Sequence, residues 1–364
     1  MSSTFGRHLR VTVFGQSHGE AVGAVLDGFP AGMTVDREAL MRMMRRRAPG
    51  QSALTTSRSE KDEPEFLSGI LNGVTTGQPI SLIIRNENQH SSDYGDGVDL
   101  LRPGHADYTG HVRFFGHEDW RGGGSFSGRL TAPVVAAGAL CRQWLASEGV
   151  TVHAHISRLG PLTDDDIAQA DAETLAGLES MRLPTLREGL EEQMEREILD
   201  AAKAGDSVGG AVTCRVDGLP AGLGAPFFDS AESVLSQLLF SVPGIKTVGF
   251  GDGFAFAEKR GSEMNDAFCL REGKIVTATN HSGGINGGIT NGMPLLFTCV
   301  VRPTPSIAME QRTVSLRRME ETGISVRGRH DPCILPRVCP VIEAVTAIGL
   351  TEMWKERESC LRGS

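Results

Sequence analysis

The 364 residues carry a formal net charge of −9, with 40% apolar and 22% charged residues, which is enough apolar mass for a packed core and argues against disorder. The acidic balance argues against general nucleic-acid binding, and no stretch approaches a membrane span or a leader's apolar region. Glycine takes 45 positions while aromatics are only 5%, so turns and close backbone approaches dominate over aromatic packing, and seven cysteines without a CxxC pair read as packed free thiols in a reducing cytoplasm.

Leu9 to Phe14 is rich in β-branched residues and predicts a strand; Ala21 to Leu26 predicts a second. Between them, Gly15-Gln16-Ser17-His18-Gly19 forms a turn that either lifts Ser17 and His18 to a sheet edge or is an ordinary hairpin turn with an exposed histidine. Asp36 can cap a helix over Arg37 to Arg47, with Leu40, Met41 and Met44 as its apolar stripe and Pro49-Gly50 as its stop. Arg37, Arg42, Arg45, Arg46, Arg47 and Arg58 lie close together with only Glu38 against them before Glu60, either a solvated face or a site for a small anion.

Ile80 to Arg85 predicts another strand, and Asn86 to Asp99 a long polar loop. The densest stretch follows, Arg102 to Thr131. It holds a turn, Arg102-Pro-Gly-His105-Ala-Asp107, then a Gly-rich loop, Arg121 to Ser127, and from Arg129 an apolar run that reads as a helix to about Ser147. A Gly-rich loop before a helix start suits an anion, because backbone N–H groups and the helix dipole point the same way. Val150 to Ile156 returns as a strand, and Pro161 to Pro184 is acidic and reads as peripheral. Helices are predicted over Arg187 to Ala204, Ser230 to Phe240 and Val338 to Glu358, and central strands over Gly209 to Arg215 and Leu295 to Val301. Strands and helices mix without a βαβ rhythm or a clear break, which favours α+β and a single domain over residues 1–364.

The chemistry narrows by residue type. His105, Asp107, His111 and His117 could ligate a metal, but they lie in an apparent loop without ligand spacing, and there is no HExxH. A Ser17–His18 hydrolase lacks a GxSxG elbow, and adjacent residues in an extended segment point apart. What remains is a polyanion site built from several arginine-bearing loops, with His18 and His105 as acids whose pKa suits neutral pH. A lyase, a nucleotide-dependent oxidoreductase and a non-catalytic binder of a phosphorylated metabolite all stay open on the residues alone.

The motifs GQSHG, RPGHADYT, RGGGxxSxRLTA, PAGLG, HSGGINGGI, RPTPSI and GRHDPC occur in this order from about residue 6 to about residue 350. Together they resemble the chorismate synthase family. The resemblance implies an α+β sandwich of helices between antiparallel sheets and a homotetramer. It also implies 1,4-anti elimination of phosphate from 5-enolpyruvylshikimate 3-phosphate, giving chorismate for aromatic amino acid biosynthesis. Reduced FMN is required without net redox change. NADPH enters only as a source of flavin reduction, a separate flavin reductase being the other supplier.

The resemblance carries roles onto matching positions. His18 corresponds to a proton donor to the leaving phosphate, His105 to the histidine that protonates reduced flavin, Asp331 to the carboxylate near flavin N5, and Ser17 and Ser127 to relay hydroxyls. Arg47, Arg102, Arg129 and Arg329 correspond to anion contacts. Ser125, Phe126, Ser127, Pro243, Gly244, Gly287, Arg302, Pro303, Thr304, Pro305, Ser306 and Arg329 match flavin-binding segments, and Arg47 also matches an NADP contact. The polar segments Gly50 to Ser57 and Gln89 to Gly97 are candidates for closure over the flavin. Three positions depart from the family pattern. Gln16 stands where many members have Glu, Ser125-Phe126 where many have Arg-Ser, and Ala53 where an arginine is linked to NADPH.

Overall fold

A computed structural model describes residues 3–50, 61–87, 99–326 and 331–361. The candidate closure segments and Arg329 therefore lie outside the described residues, apart from Gly50.

Two five-stranded antiparallel sheets enclose a pair of helices. The first sheet runs Thr4–Phe5, Arg10–Gly15, Ala21–Asp27, Ile80–Arg85, Glu65–Ser68 in spatial order; the second runs Ile245–Phe250, Leu295–Val301, Gly210–Asp217, Thr151–Leu159, Leu162–Thr163. Alternation sets the faces: Ile80, Leu82 and Ile84 point into the core from one strand. The two expected central strands pair directly, Thr213 opposite Thr298.

Thr131–Ser147 packs on the first sheet, Leu335–Leu361 packs on the second, and the two helices pack on each other. Thr131–Ser147 is apolar over most of its surface, and so is the second helix between Val338 and Leu350 apart from Glu343: Val135, Ala136, Ala139 and Leu140 are buried in one, Val341, Ile342, Val345 and Ile348 in the other. A β-carbon on Gly138 would overlap Ala344, so glycine sets how closely the helices approach. Buried residues from Leu9 to Met353 form one continuous cluster. The α+β sandwich is thus the observed architecture.

Local signals act where the sequence placed them. The helix Arg37–Arg47 begins at Asp36, whose side chain accepts the Ala39 N–H at 2.9 Å. Two expectations need correction. Asp107–Arg113 is a short helix rather than loop; polar and Gly-containing, it shows no apolar period and is held from outside, where the Phe126 ring sits on Gly110. The acidic stretch is not wholly peripheral either. The Asp164 side chain is buried, accepting the Leu186 and Arg187 N–H groups and facing His155 at 3.1 Å.

At the chain's far end, the Glu352 carboxylate on the C-terminal helix accepts the backbone N–H groups of Arg7, His8 and Leu9. It thereby fixes the entry to the first long strand. No helix among the described residues is long and apolar enough to cross a membrane.

Candidate active site

The first hairpin presents the first histidine. Gly15 pairs with Val22, and the intervening turn buries both Ser17 and His18. What buries them is the Gly-rich loop. Ser17 N–H donates to the Gly124 carbonyl at 3.2 Å, and a β-carbon on Gly122 would run into the His18 ring and approach Ser17 Oγ at 3.0 Å. The rule that neighbours point apart fails here because residues 16–19 form a turn, and both side chains border Gly122. The reading of an exposed histidine on a plain turn is corrected for the same reason.

The second histidine meets the next glycine. A β-carbon on Gly123 would lie 3.5 Å from His105 Nε2. The loop achieves this with three consecutive left-handed residues, Gly122, Gly123 and Gly124 at φ 58, 82 and 52°, a run closed to side-chain-bearing residues. It is therefore not a cradle opening directly into a helix: a separate turn, Gly128–Leu130, intervenes before Thr131.

His105 Nδ1 lies 2.6 Å from Asp107 Oδ1. Arg102 donates to the same carboxylate from its backbone N–H, Nε and a terminal nitrogen, at 2.9, 2.8 and 2.7 Å. Burial opposes the Asp107 charge, but hydrogen bonds from Arg102 and His105 outweigh it and hold the carboxyl well below its usual range. An ionised Asp107 accepts Nδ1–H, which leaves Nε2 facing the glycine loop. Arg302 braces this turn, donating to the Gly104 carbonyl at 2.8 Å, while its own N–H donates to the Gly244 carbonyl at 2.9 Å.

A third group gathers cations. Arg47 and Arg129 both donate to Asp62, whose carboxylate is buried and whose backbone is left-handed at φ 49°. Arg47 also donates to Thr131 Oγ1 at 3.0 Å and the Gly128 carbonyl at 3.2 Å. Arg129 reaches Asn86 Oδ1 at 2.8 Å and the Arg85 carbonyl at 3.0 Å. Arg337 links this group to Asp331, donating to that carboxylate and to the Arg47 carbonyl. Thus two histidines, a fixed carboxylate and several guanidinium groups are tied together by the loop and the start of the central helix.

A family model described as chorismate synthase matches residues 9–354. The chain belongs to the chorismate synthase family. It is 46% identical to chorismate synthase of Pyrococcus abyssi over 95% of this chain and 96% of that protein. It is 47% identical to that of Methanothermobacter thermautotrophicus over 95% of this chain and 92% of that protein. A crystal structure of chorismate synthase superposes with a TM-score of 0.77 at 28% identity, covering 97% of this chain and 93% of the other. Membership makes the protein a carbon–oxygen lyase of aromatic biosynthesis acting on a small molecule.

Against the chorismate synthase motifs, the other expected residues fall into two sets. Joined to the histidine groups are Ser127, whose hydroxyl accepts the Arg129 N–H at 3.2 Å, then Gly244 and Arg302. Pro243, Pro303 and Pro305 are carried by these same segments, in which Ser306 is buried and the Thr304 carbonyl accepts from Ser207 Oγ at 2.7 Å. Elsewhere, Ser125 is exposed, and Phe126 turns its ring towards Phe114 with centroids 6.2 Å apart. Gly287 sits on a hairpin turn whose hydrogen bonds run to Gly222 and Ala231 rather than to the histidines.

Sequence reasoning did not single out Asp62, Asn86 or Arg337. Asp107 was visible in its motif, but as a metal candidate rather than as the partner of His105. The cysteines are free, and burial pushes the Cys141 and Cys333 thiols up to about 12, so they stay protonated packing groups.

Proposed function

We propose that this chain converts 5-enolpyruvylshikimate 3-phosphate into chorismate by 1,4-anti elimination of phosphate, with reduced FMN as cofactor. The observation that carries the reading is the placement of His18 and His105 on successive glycines of one loop, beside the Arg47–Asp62–Arg129 group. Departure of phosphate breaks a C–O bond and needs positive charge and a proton near the leaving oxygen. His18 supplies the proton; Arg47 and Arg129 supply charge in a water-poor setting where it acts strongly. Ser17 and Ser127 flank these groups as relay hydroxyls.

The residues present fit a flavin beside His105. Arg302 and Gly244 meet next to the His105 turn, and Thr304 Oγ1 in the same segment is buried without a hydrogen-bond partner, as suits a hydroxyl kept for a polar ligand. Gly244, Arg302 and Thr304 would hold the group, with Ser125 to Ser127, Gly287 and Arg329 as further contacts. Bound reduced FMN would supply transient electron density to the substrate without net redox change. His105 presents Nε2 to the glycine loop for proton exchange, and Arg337 holds Asp331 beside the Arg47 backbone.

The same reading includes a homotetramer, a cytoplasmic location and an external source of flavin reduction, with NADPH as the alternative source through Arg47. Exposed Phe227, Phe228, Phe268, Leu270 and Ile275 supply apolar surface for association, and the free cysteines suit a reducing compartment.

The decisive experiment is anaerobic. Purified protein, reduced FMN and substrate should release phosphate and chorismate together, with NADPH not consumed in stoichiometric amount. His18→Ala and His105→Ala should each lower kcat by roughly 10²–10⁴-fold while substrate binding survives. Stoichiometric NADPH oxidation would instead favour an oxidoreductase, and full turnover in both variants would remove the acid–base assignment.

A further inference from the structure

We infer that Asn86 is a positioning residue that locks the Arg129 guanidinium to the His18 turn, an inference that rests on the lyase reading of both groups. The strand register places it there. Arg85 pairs with Ala21, so the next residue beyond the strand lies beside the turn, and Asn86 N–H donates to the Glu20 carbonyl at 3.1 Å. Its amide then faces two ways. Oδ1 accepts Arg129 Nε at 2.8 Å, while Nδ2 donates to the Gly19 carbonyl at 2.8 Å and the Gln16 carbonyl at 3.1 Å. The partners dictate the amide's orientation, since a guanidinium can only donate and a carbonyl can only accept.

Those two carbonyls bracket Ser17 and His18. The one amide therefore fixes an anion-binding cation and the backbone carrying the acid in a single frame. Aspartate has nearly the same shape but lacks the donor. It would keep the hold on Arg129 and set a carboxylate oxygen against two carbonyl oxygens. Alanine would release both sides.

The test is a set of variants assayed anaerobically with reduced FMN. Asn86→Ala and Asn86→Asp should both lower kcat about tenfold to hundredfold, the range for a small misplacement of reacting groups. In a His18→Ala background Asn86→Asp, which keeps the hold on Arg129, should not lower it appreciably further, because its effect passes through His18. A second readout needs no turnover: the NMR titration of the His18 ring should be displaced in both variants. Thermal unfolding monitors folding. Wild-type kcat in Asn86→Asp, equal losses in that variant with and without His18, or an unmoved His18 titration would each overturn the inference. Failure of the wild type to release phosphate would instead strike the lyase reading, and the titration would still decide the positioning role.

Discussion

Arg46 and Arg47 are neighbours on one helix, yet they enter two different buried clusters, each made of two arginines sharing one carboxylate. Arg46 and Arg142 meet Glu343 in the middle of the C-terminal helix, with Glu179 on the far side of Arg142. Arg47 and Arg129 meet Asp62 at the end of an irregular segment, and their further acceptors include Thr131 Oγ1, Asn86 Oδ1 and backbone carbonyls. The residue types are nearly the same; the surroundings differ. The first cluster joins three helices and is braced by a second carboxylate. The second is the more deeply buried of the two, and it is tied through Asn86 to the carbonyls on either side of His18 and through Ser127 and Gly128 to the end of the glycine loop. Burial of an ion pair thus says little about its purpose until its neighbours are counted.

Variants that treat the clusters alike should separate them. The largest effect is expected at Glu343. Glu343→Gln leaves Arg46 and Arg142 buried without their shared anion and should lower stability by about 3–5 kcal/mol, read from urea unfolding. Turnover of the protein that remains folded should be near normal. An equal loss of kcat would erase the distinction between the clusters. Asp62→Asn should act on the ligand, raising KM for the enolpyruvyl phosphate at least about tenfold, or about 1.4 kcal/mol, because Arg47 and Arg129 lose their orientation. A fall in KM would show that Asp62 competes with substrate anions instead.

Acid should sharpen the contrast further. Burial opposes ionisation of Glu343, but Arg46 and Arg142 outweigh it and hold its pKa below the ordinary value. A depressed carboxylate contributes stability that is complete above its unfolded pKa and is lost as pH falls through its folded pKa. The stability gap between wild type and Glu343→Gln should therefore be full at neutral pH and narrow below about pH 4. A gap that stayed constant in acid would remove the electrostatic account. The smallest effect belongs to the same helix's solvated pair, Glu38 and Arg42 at 3.3 Å. Glu38→Ala should change stability by no more than about 0.5 kcal/mol, and a larger loss would mean that exposure does not weaken ion pairs here.

The contrast also explains what could be read from the sequence. The helix carrying Arg46 and Arg47 was legible because its cap, stripe and stop are local. The strand Ile80–Arg85 and the central helix were legible for the same reason. His18 stood out because glycines bracket its turn, and His105 because it follows Pro103-Gly104. Asp62 was hidden in the charged run EKDEPE, since its meaning comes from Arg129, 67 residues away. Asn86 looked like the first residue of a polar loop. Its role depends on the pairing of Arg85 with Ala21 across the sheet, which no local pattern announces. The short helix at Asp107 was missed because its stabilising contact arrives from Phe126. What survives from sequence is local propensity and ordered motifs; what needs the fold is every contact that turns a carboxamide or carboxylate into a frame.

The Glu352 clamp gives this architecture an order in time. Leu9 N–H finds its acceptor 343 residues downstream. At ordinary elongation rates, that carboxylate is made tens of seconds after the strand it anchors, on the order of 20–70 s. The first hairpin, with His18 in its turn, must therefore wait for the residues as far as Glu352 before its entry is pinned. Both sheets lie against helices at the centre, and one of those helices, Leu335–Leu361, follows every strand of both sheets in the sequence. A nascent chain interrupted before residue 352 would hold every residue of the histidine loop and still lack the clasp that closes the first strand.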